Sequence, residues 1–173
     1  GGSIDLGYEK VLKVSKYLKE NFESLFSEQN QFELSLFGKR EGVDVKGQLD
    51  IYRPEMGIID LKFTGKDIVT EKDLNKLFFD GRWDIQAKMY IDLVRENYGC
   101  EVPFLFLVVN HKKEDIQVRK ILVDPQVEQC RESLDKAGHE IDRVLLEIRD
   151  STEKDSFPDL SDVVHIPTRP RWL

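Results

Sequence analysis

Apolar side chains at Val11, Leu12, Val14, Leu18, Phe22, Leu25 and Phe26 recur close to the helical period, with Lys and Glu between them. Residues 8–26 therefore predict one amphipathic helix. The period then changes to two. In QFELSLF at 31–37, Phe32, Leu34 and Leu36 share one face and Glu33 and Ser35 the other, as in a half-buried strand, and GKREG turns the chain around. VDVKGQLDIYR at 43–53 alternates again, residues 54–57 (Pro-Glu-Met-Gly) form a turn, and IIDLKFT at 58–64 is a more apolar strand, so three strands form a meander.

After a polar connection, LNKLFF at 74–79 precedes a long helix at 82–99 that ends on Gly99, a residue suited to a helix C-cap. VPFLFLVVN at 102–110 reads as a fully buried central strand, and IQVRKILVD at 116–124 as a further alternating one. Pro125 fits the first position of a helix that runs to about Arg149, and the proline-bearing tail from Asp150 reads as irregular. The order α-β-β-β-α-β-β-α predicts an α/β fold, a central mixed β-sheet flanked by helices with a crossover into strand 102–110.

Gly1-Gly2-Ser3 reads as an expression remnant, and residues 4–173 as a single domain trimmed at its N-terminus. Its 173 residues, 40% hydrophobic and 34% charged, suffice for one ordinary core. The longest apolar run falls far short of the ~20 residues of a membrane span. Cys100 and Cys130 have no metal-type spacing and suit reduced thiols of a cytoplasmic protein, in a bacterial or phage-infected cell. A net charge of -7 argues against extensive phosphate contact, yet residues 61–120 carry 11 basic against 10 acidic side chains, the only third with a cationic excess.

The chemistry concentrates on two strands. Asp60 and Lys62, one residue apart, point to the same side of their strand, and the short turn at 54–57 brings Asp50 beside them. Charges in so apolar a strand are tolerated when paired or bound to metal. Two carboxylates and the Leu61 backbone carbonyl make a hard oxygen set suited to Mg²⁺, with Mn²⁺ as substitute, and Lys62 would serve the attacking water. Gln86 and Tyr90, four apart on a helix, share a face with Arg82, and all three could hold a phosphate or base. Glu33 on the preceding strand is a further candidate metal ligand.

GQLD at 47–50, IIDLKFT, and QAKMY at 86–90 resemble motifs II, III and QxxxY of the RecB-like branch of the PD-(D/E)xK nucleases. Within that branch the segments VKGQLDIYRPEMGIIDLKFT and FFDGRWDIQAKMYIDLV are most similar to the phage-type exonuclease VIII (RecE-like) recombination exonucleases, and HIPTRPRWL resembles their closing segment. The resemblance covers about residues 8–173. It implies a restriction-endonuclease-like core and a Mg²⁺-dependent double-strand DNA exonuclease of recombination or repair. A single-strand annealing partner and a homo-oligomer would go with it. Asp60 stands where many relatives have Glu.

Other readings stay open. Taken alone, Asp-x-Lys in a strand is an ordinary salt-bridged face, Gln86 and Tyr90 a polar surface residue beside a half-buried tyrosine, and Arg82 a partner for Asp80 or Asp84. The histidines lack ligand spacing and read as surface residues, Lys112-Lys113 as a solvated turn, and Trp83 and Phe78-Phe79 as core or subunit contact. A catalytically silent nuclease-fold module that binds DNA or protein, and an endonuclease of the same fold, are the alternatives to an exonuclease.

Overall fold

The computed structural model describes residues 2–112 and 115–155, with side chains from Glu9 onward. Five strands, β1 (Gln31–Arg40), β2 (Val43–Arg53), β3 (Gly57–Thr64), β4 (Phe104–Asn110) and β5 (Gln117–Val123), form one sheet in chain order. All neighbours are antiparallel except β3 and β4, which are parallel. A parallel neighbour requires a crossover, and α2 (Glu71–Asp80) and α3 (Trp83–Tyr98) supply it. The remaining helices are α1 (Gly2–Asn21) and α4 (Glu128–Glu153).

Each face of the sheet buries its own cluster. On one, Leu36, Leu49, Tyr52, Ile58, Phe104, Phe106 and Val108 pack against Leu74, Leu77 and Phe78 of α2, Ala87, Ile91 and Val94 of α3, and Leu134 of α4. On the other, Ile51, Ile59, Leu107 and Val109 pack against Val14 and Leu18 of α1 and against Leu25. Strand β4 is covered on both sides, which accounts for its unbroken apolar run. Among the described residues no helix is long and apolar enough to cross a membrane.

Several expected boundaries shift for local reasons. The helix expected over 8–26 ends at Asn21, and a 3-10 turn follows at Glu23–Phe26; Phe22 leaves helical geometry, Leu25 turns into the core, and Asn30 Nδ2 donates to the Ser24 carbonyl at 2.9 Å. The stretch around 74–79 is a full helix because Thr70 and Asp73 form a reciprocal capping box ahead of it. Strand β1 continues through Arg40, so the turn expected over 38–42 shrinks to Glu41-Gly42. Pro125 lies in a turn before α4, which begins at Glu128 and runs past Arg149 to Glu153. The closing segment HIPTRPRWL lies outside the described residues.

The feature that matters most is a split in the sheet. Strands β1 and β2 pair from Gln31↔Tyr52 to Arg40↔Val43 with a break at Glu33 and Asp50, and β3 and β4 pair from Ile58 to Thr64. Between β2 and β3, however, only Ile51↔Ile59, Tyr52↔Ile58 and Arg53↔Gly57 are joined. The facing pattern of β2 slips at the same place: Leu49 belongs to one core, whereas Ile51 belongs to the other. On β1, Glu33 has a left-handed backbone (φ 52°), and Phe32, expected on the buried face, is 54% exposed. The β1–β2 hairpin thus peels away and leaves residues 60–64 with an open edge.

Gly57, where β2 turns into β3, has φ +102°, and an added Cβ would lie 2.1 Å from the Pro103 carbonyl oxygen. That oxygen accepts the Ile58 N–H at 3.0 Å, so it cannot withdraw freely. Gly57→Ala combines backbone strain with overpacking and is expected to cost about 2–4 kcal/mol. Scanning calorimetry should show Tm lower by about 5–15 °C; an unchanged Tm would mean that the β2–β3 turn does not hold β4 in register.

Candidate active site

The site forms where the sheet opens. Because β3 has no backbone partner on its β2 side beyond Ile59, the Leu61 N–H donates to the Asp50 side chain, at 3.0 Å from Oδ2. This bond fixes Asp50 across the gap, next to Asp60 and Lys62. Those two point into the helix-covered face, in phase with Ile58, as the alternation along β3 requires.

Asp60 is 4% exposed. Its Oδ1 accepts from Gln86 Nε2 at 2.6 Å, and its Oδ2 lies 2.8 Å from Lys62 Nζ. Gln86 Oε1 accepts from Lys62 Nζ at 2.7 Å, so the three side chains close a ring, with the amide orientation set by its two partners. Although Oδ2 has the ammonium beside it, it makes no well-directed hydrogen bond to any group. That oxygen is buried with the Lys62 ammonium as its charged neighbour.

Burial raises the Asp60 pKa above the ordinary carboxylate value; Lys62 and Gln86 oppose the rise, and the nearby Asp50 charge adds to it. Tyr90 reports the same field. Its pKa is raised by burial and then by the Asp60 and Asp50 charges, while the Gln48 backbone and Gln86 act against the shift. Helix α3 approaches closely enough to place Tyr90 because β2 has Gly47 there: a Cβ would meet Leu93 Cδ1 at 2.8 Å and Tyr90 Cε1 at 2.9 Å.

Asp50, Asp60, Lys62, Gln86 and Tyr90 thus come together, and two expected participants do not. Arg82 precedes α3 with a left-handed backbone (φ 51°) instead of extending the Gln86–Tyr90 face. Its guanidinium forms a two-pronged bridge to Glu140 of α4, at 2.8 and 2.6 Å, with Asp84 at 3.4 Å. Glu33 is exposed and accepts from Gln48 Nε2 at 2.7 Å. Among the described residues no group of three or more His, Cys, Asp or Glu could hold a metal ion; Asp50 and Asp60 are the two carboxylates that meet here.

Trp83 packs against the core, as the sequence suggested, and also forms part of an aromatic floor. The rings of Trp83 and Phe106, stacked with centroids 5.3 Å apart, lie 5.8 and 5.7 Å from Lys62 Nζ. The ammonium gains cation–π attraction on one side and Asp60 on the other. The i, i+3 spacing of Trp83 and Gln86 was the available signal.

Residues 8–162 match the model of a family described as a PDDEXK-like domain of unknown function (DUF3799). A solved structure from Eubacterium rectale, provisionally described as an exonuclease, superposes with a TM-score of 0.70 at 20% identity, over 94% of this chain and 62% of that one. The chain therefore spans less than two thirds of that structure, and the likeness concerns the fold. A second, SSO0001, gives a TM-score of 0.42 at 14% identity over 80% of this chain and 58% of its own, too little to build on. No curated protein matches. Sheet order, helix placement and family match together identify a restriction-endonuclease-like α/β core, as expected from the sequence.

Removing Lys62 would strand the buried Asp60 charge, a loss worth about 3–5 kcal/mol for a fully ionised pair. Asp60 can escape part of it by taking up a proton, because its pKa is already raised. The sign follows: a carboxyl raised in the folded state is penalised above its folded pKa and relieved below its unfolded value. Lys62→Met should therefore destabilise by about 3 kcal/mol at pH 8 and by much less at pH 4. In urea unfolding, the double variant with Asp60→Ala should lose less than the two single losses combined; additive losses at every pH would show that the pair is not coupled.

Proposed function

The chain belongs to the PDDEXK-like family (DUF3799), and on that footing we propose that it is a divalent-metal-dependent nuclease that hydrolyses DNA phosphodiester bonds. The observation that carries the reading is the buried Asp60 carboxylate, held by Lys62 and Gln86 with Asp50 beside it at the open edge of β3. A carboxylate pair with a backbone carbonyl suits Mg²⁺, which keeps several waters.

In this reading Asp50 and Asp60, with the Leu61 carbonyl, hold Mg²⁺ or Mn²⁺. When bound, the cation supplies charge neutralisation at the scissile phosphate and a lowered pKa for water. Lys62, steadied by Gln86, Trp83 and Phe106, presents N–H donors toward the gap to orient the attacking water or the developing oxyanion. Gln86 keeps Asp60 and Lys62 in one geometry, and Tyr90 closes the floor against Phe104, their rings stacked at 6.1 Å. Arg82 contributes through α4 and not at the phosphate, given its bridge to Glu140. The finer reading, supported by the sequence resemblance, is a double-strand DNA exonuclease of phage-type recombination that hands single-stranded tails to an annealing protein.

The test is nucleotide release from linear and covalently closed double-stranded DNA in Mg²⁺, Mn²⁺ or EDTA. Metal-dependent digestion of linear DNA alone, reduced at least about 100-fold by Lys62→Ala, is expected. Nicking of closed circles would make the protein an endonuclease, and DNA binding without cleavage under any metal would make it a silent module.

Metal binding has a separate readout. At about 100 times its dissociation constant, Mg²⁺ should stabilise the wild type by about 2.7 kcal/mol and leave Asp60→Asn unaffected. Protons compete for Asp60, whose pKa is raised by burial. The Mg²⁺-induced rise in Tm should therefore vanish on acidification at a higher pH than an ordinary carboxylate would dictate. A rise in Tm that persists in Asp60→Asn would remove this residue from the metal set.

A further inference from the structure

Strand β3 runs beyond the site into a loop that is unusually well held. Thr64 Oγ1 accepts the Lys66 N–H at 3.0 Å, Asn110 Nδ2 donates to the Lys66 carbonyl at 2.9 Å, and Arg119 donates to the Val69 carbonyl at 2.7 Å. Ile68 between them is 1% exposed. Asn110 is the one polar residue of the apolar strand β4 and is fully buried; its Oδ1 accepts the Lys112 N–H at 3.0 Å. A single interior amide thus ties together the loops after β3 and after β4.

What the two loops present is charge. Lys66 and Lys112 are both exposed. The Lys112 side chain lies across Gly65, where an added Cβ would be 2.8 Å from its Nζ. The chain as a whole carries 33 acidic against 26 basic residues, and Arg40, Lys62, Arg82, Lys88 and Arg95 are all paired. What sets Lys66 and Lys112 apart is their placement, two cations on pinned loops at the end of the strand that bears Asp60 and Lys62. In the sequence Lys112 belongs to a solvated turn; only the fold brings it to Lys66.

We propose that Lys66 and Lys112 form a clamp for the phosphodiester backbone of the substrate, gripping phosphates to one side of the bond cut at Asp60. The proposal rests on the nuclease reading and extends it to how the strand is held. Lys66 follows Lys62 by four residues across the end of β3, at most about 13 Å. That distance corresponds to about four nucleotide steps at ~3.4 Å of rise per strand. Rigid loops matter because an ordered cation loses little freedom when it binds phosphate, whereas a lysine on a mobile loop must be ordered first. Phosphate contact carries no base information, so the clamp would fix register without sequence preference.

The experiment is binding of a blunt duplex oligonucleotide by the full chain in Ca²⁺, across a salt series, for the wild type, Lys66→Ala/Lys112→Ala, and a control with Lys72→Ala/Lys76→Ala on the exposed side of α2. Each phosphate that is no longer neutralised should reduce the slope of log affinity against log salt by about 0.7–0.9, so the slope should fall by about 1.4–1.8 in the clamp variant and stay unchanged in the control. In Mg²⁺ the clamp variant should show KM raised about tenfold with kcat within twofold, and Lys66→Arg/Lys112→Arg should restore both. Wild-type binding with an unchanged slope in the clamp variant overturns the clamp and leaves the nuclease reading standing. Failure of the wild type to bind or cut DNA at any salt overturns both.

Discussion

A carboxylate is held almost out of water at Asp60, and much of the molecule is arranged around that fact. Such a group ordinarily neutralises itself or is excluded from the interior. Here Lys62 and Gln86 keep the ionised form accessible without satisfying it completely, and the pKa rises because burial outweighs their help. Local stability is therefore lowered at this point of the sheet.

The sheet supplies the geometry. Had β2 and β3 stayed paired throughout, the Leu61 N–H would have had a backbone partner and Asp50 would have had no role across the gap. Instead the slip at Asp50, opposite the left-handed Glu33, turns the hairpin aside. The hairpin is caught at its far end by Arg40, which binds Asp92 of α3 and the Asp142 carboxylate and Gly138 carbonyl of α4. Gly47 then lets α3 lie close beneath β2, so that one helix serves both as core and as the carrier of Gln86 and Tyr90.

Charge shows the same division of labour. The acidic total discourages diffuse binding to nucleic acid, and Arg40, Arg82 and Lys88 are held in pairs that brace α3, α4 and the hairpin. Arg82 is the clearest case. Its place four residues before Gln86 suggested a phosphate ligand, yet a left-handed backbone turns it out of the helical register and onto Glu140. Spacing rules hold only inside an element, and the residue sits just outside one.

Hydrophobic period and strand alternation are local properties, so the five strands, the helices other than α2, their order and the candidate side chains on them could be read from the chain alone. Asp60, Lys62, Gln86 and Tyr90 were legible for that reason: each pair lies within one strand or one helix. Their joining was not, since it depends on Gly47 admitting α3 and on the break between β2 and β3, which no period in either strand announces. Only the assembled fold turns Phe32 to water, gives Arg82 and Glu33 other partners, floors the Lys62 ammonium with Trp83 and Phe106, and lets Asn110 bind two loops at once. Each follows from which faces meet across the sheet, and that is settled by packing between residues distant in the chain.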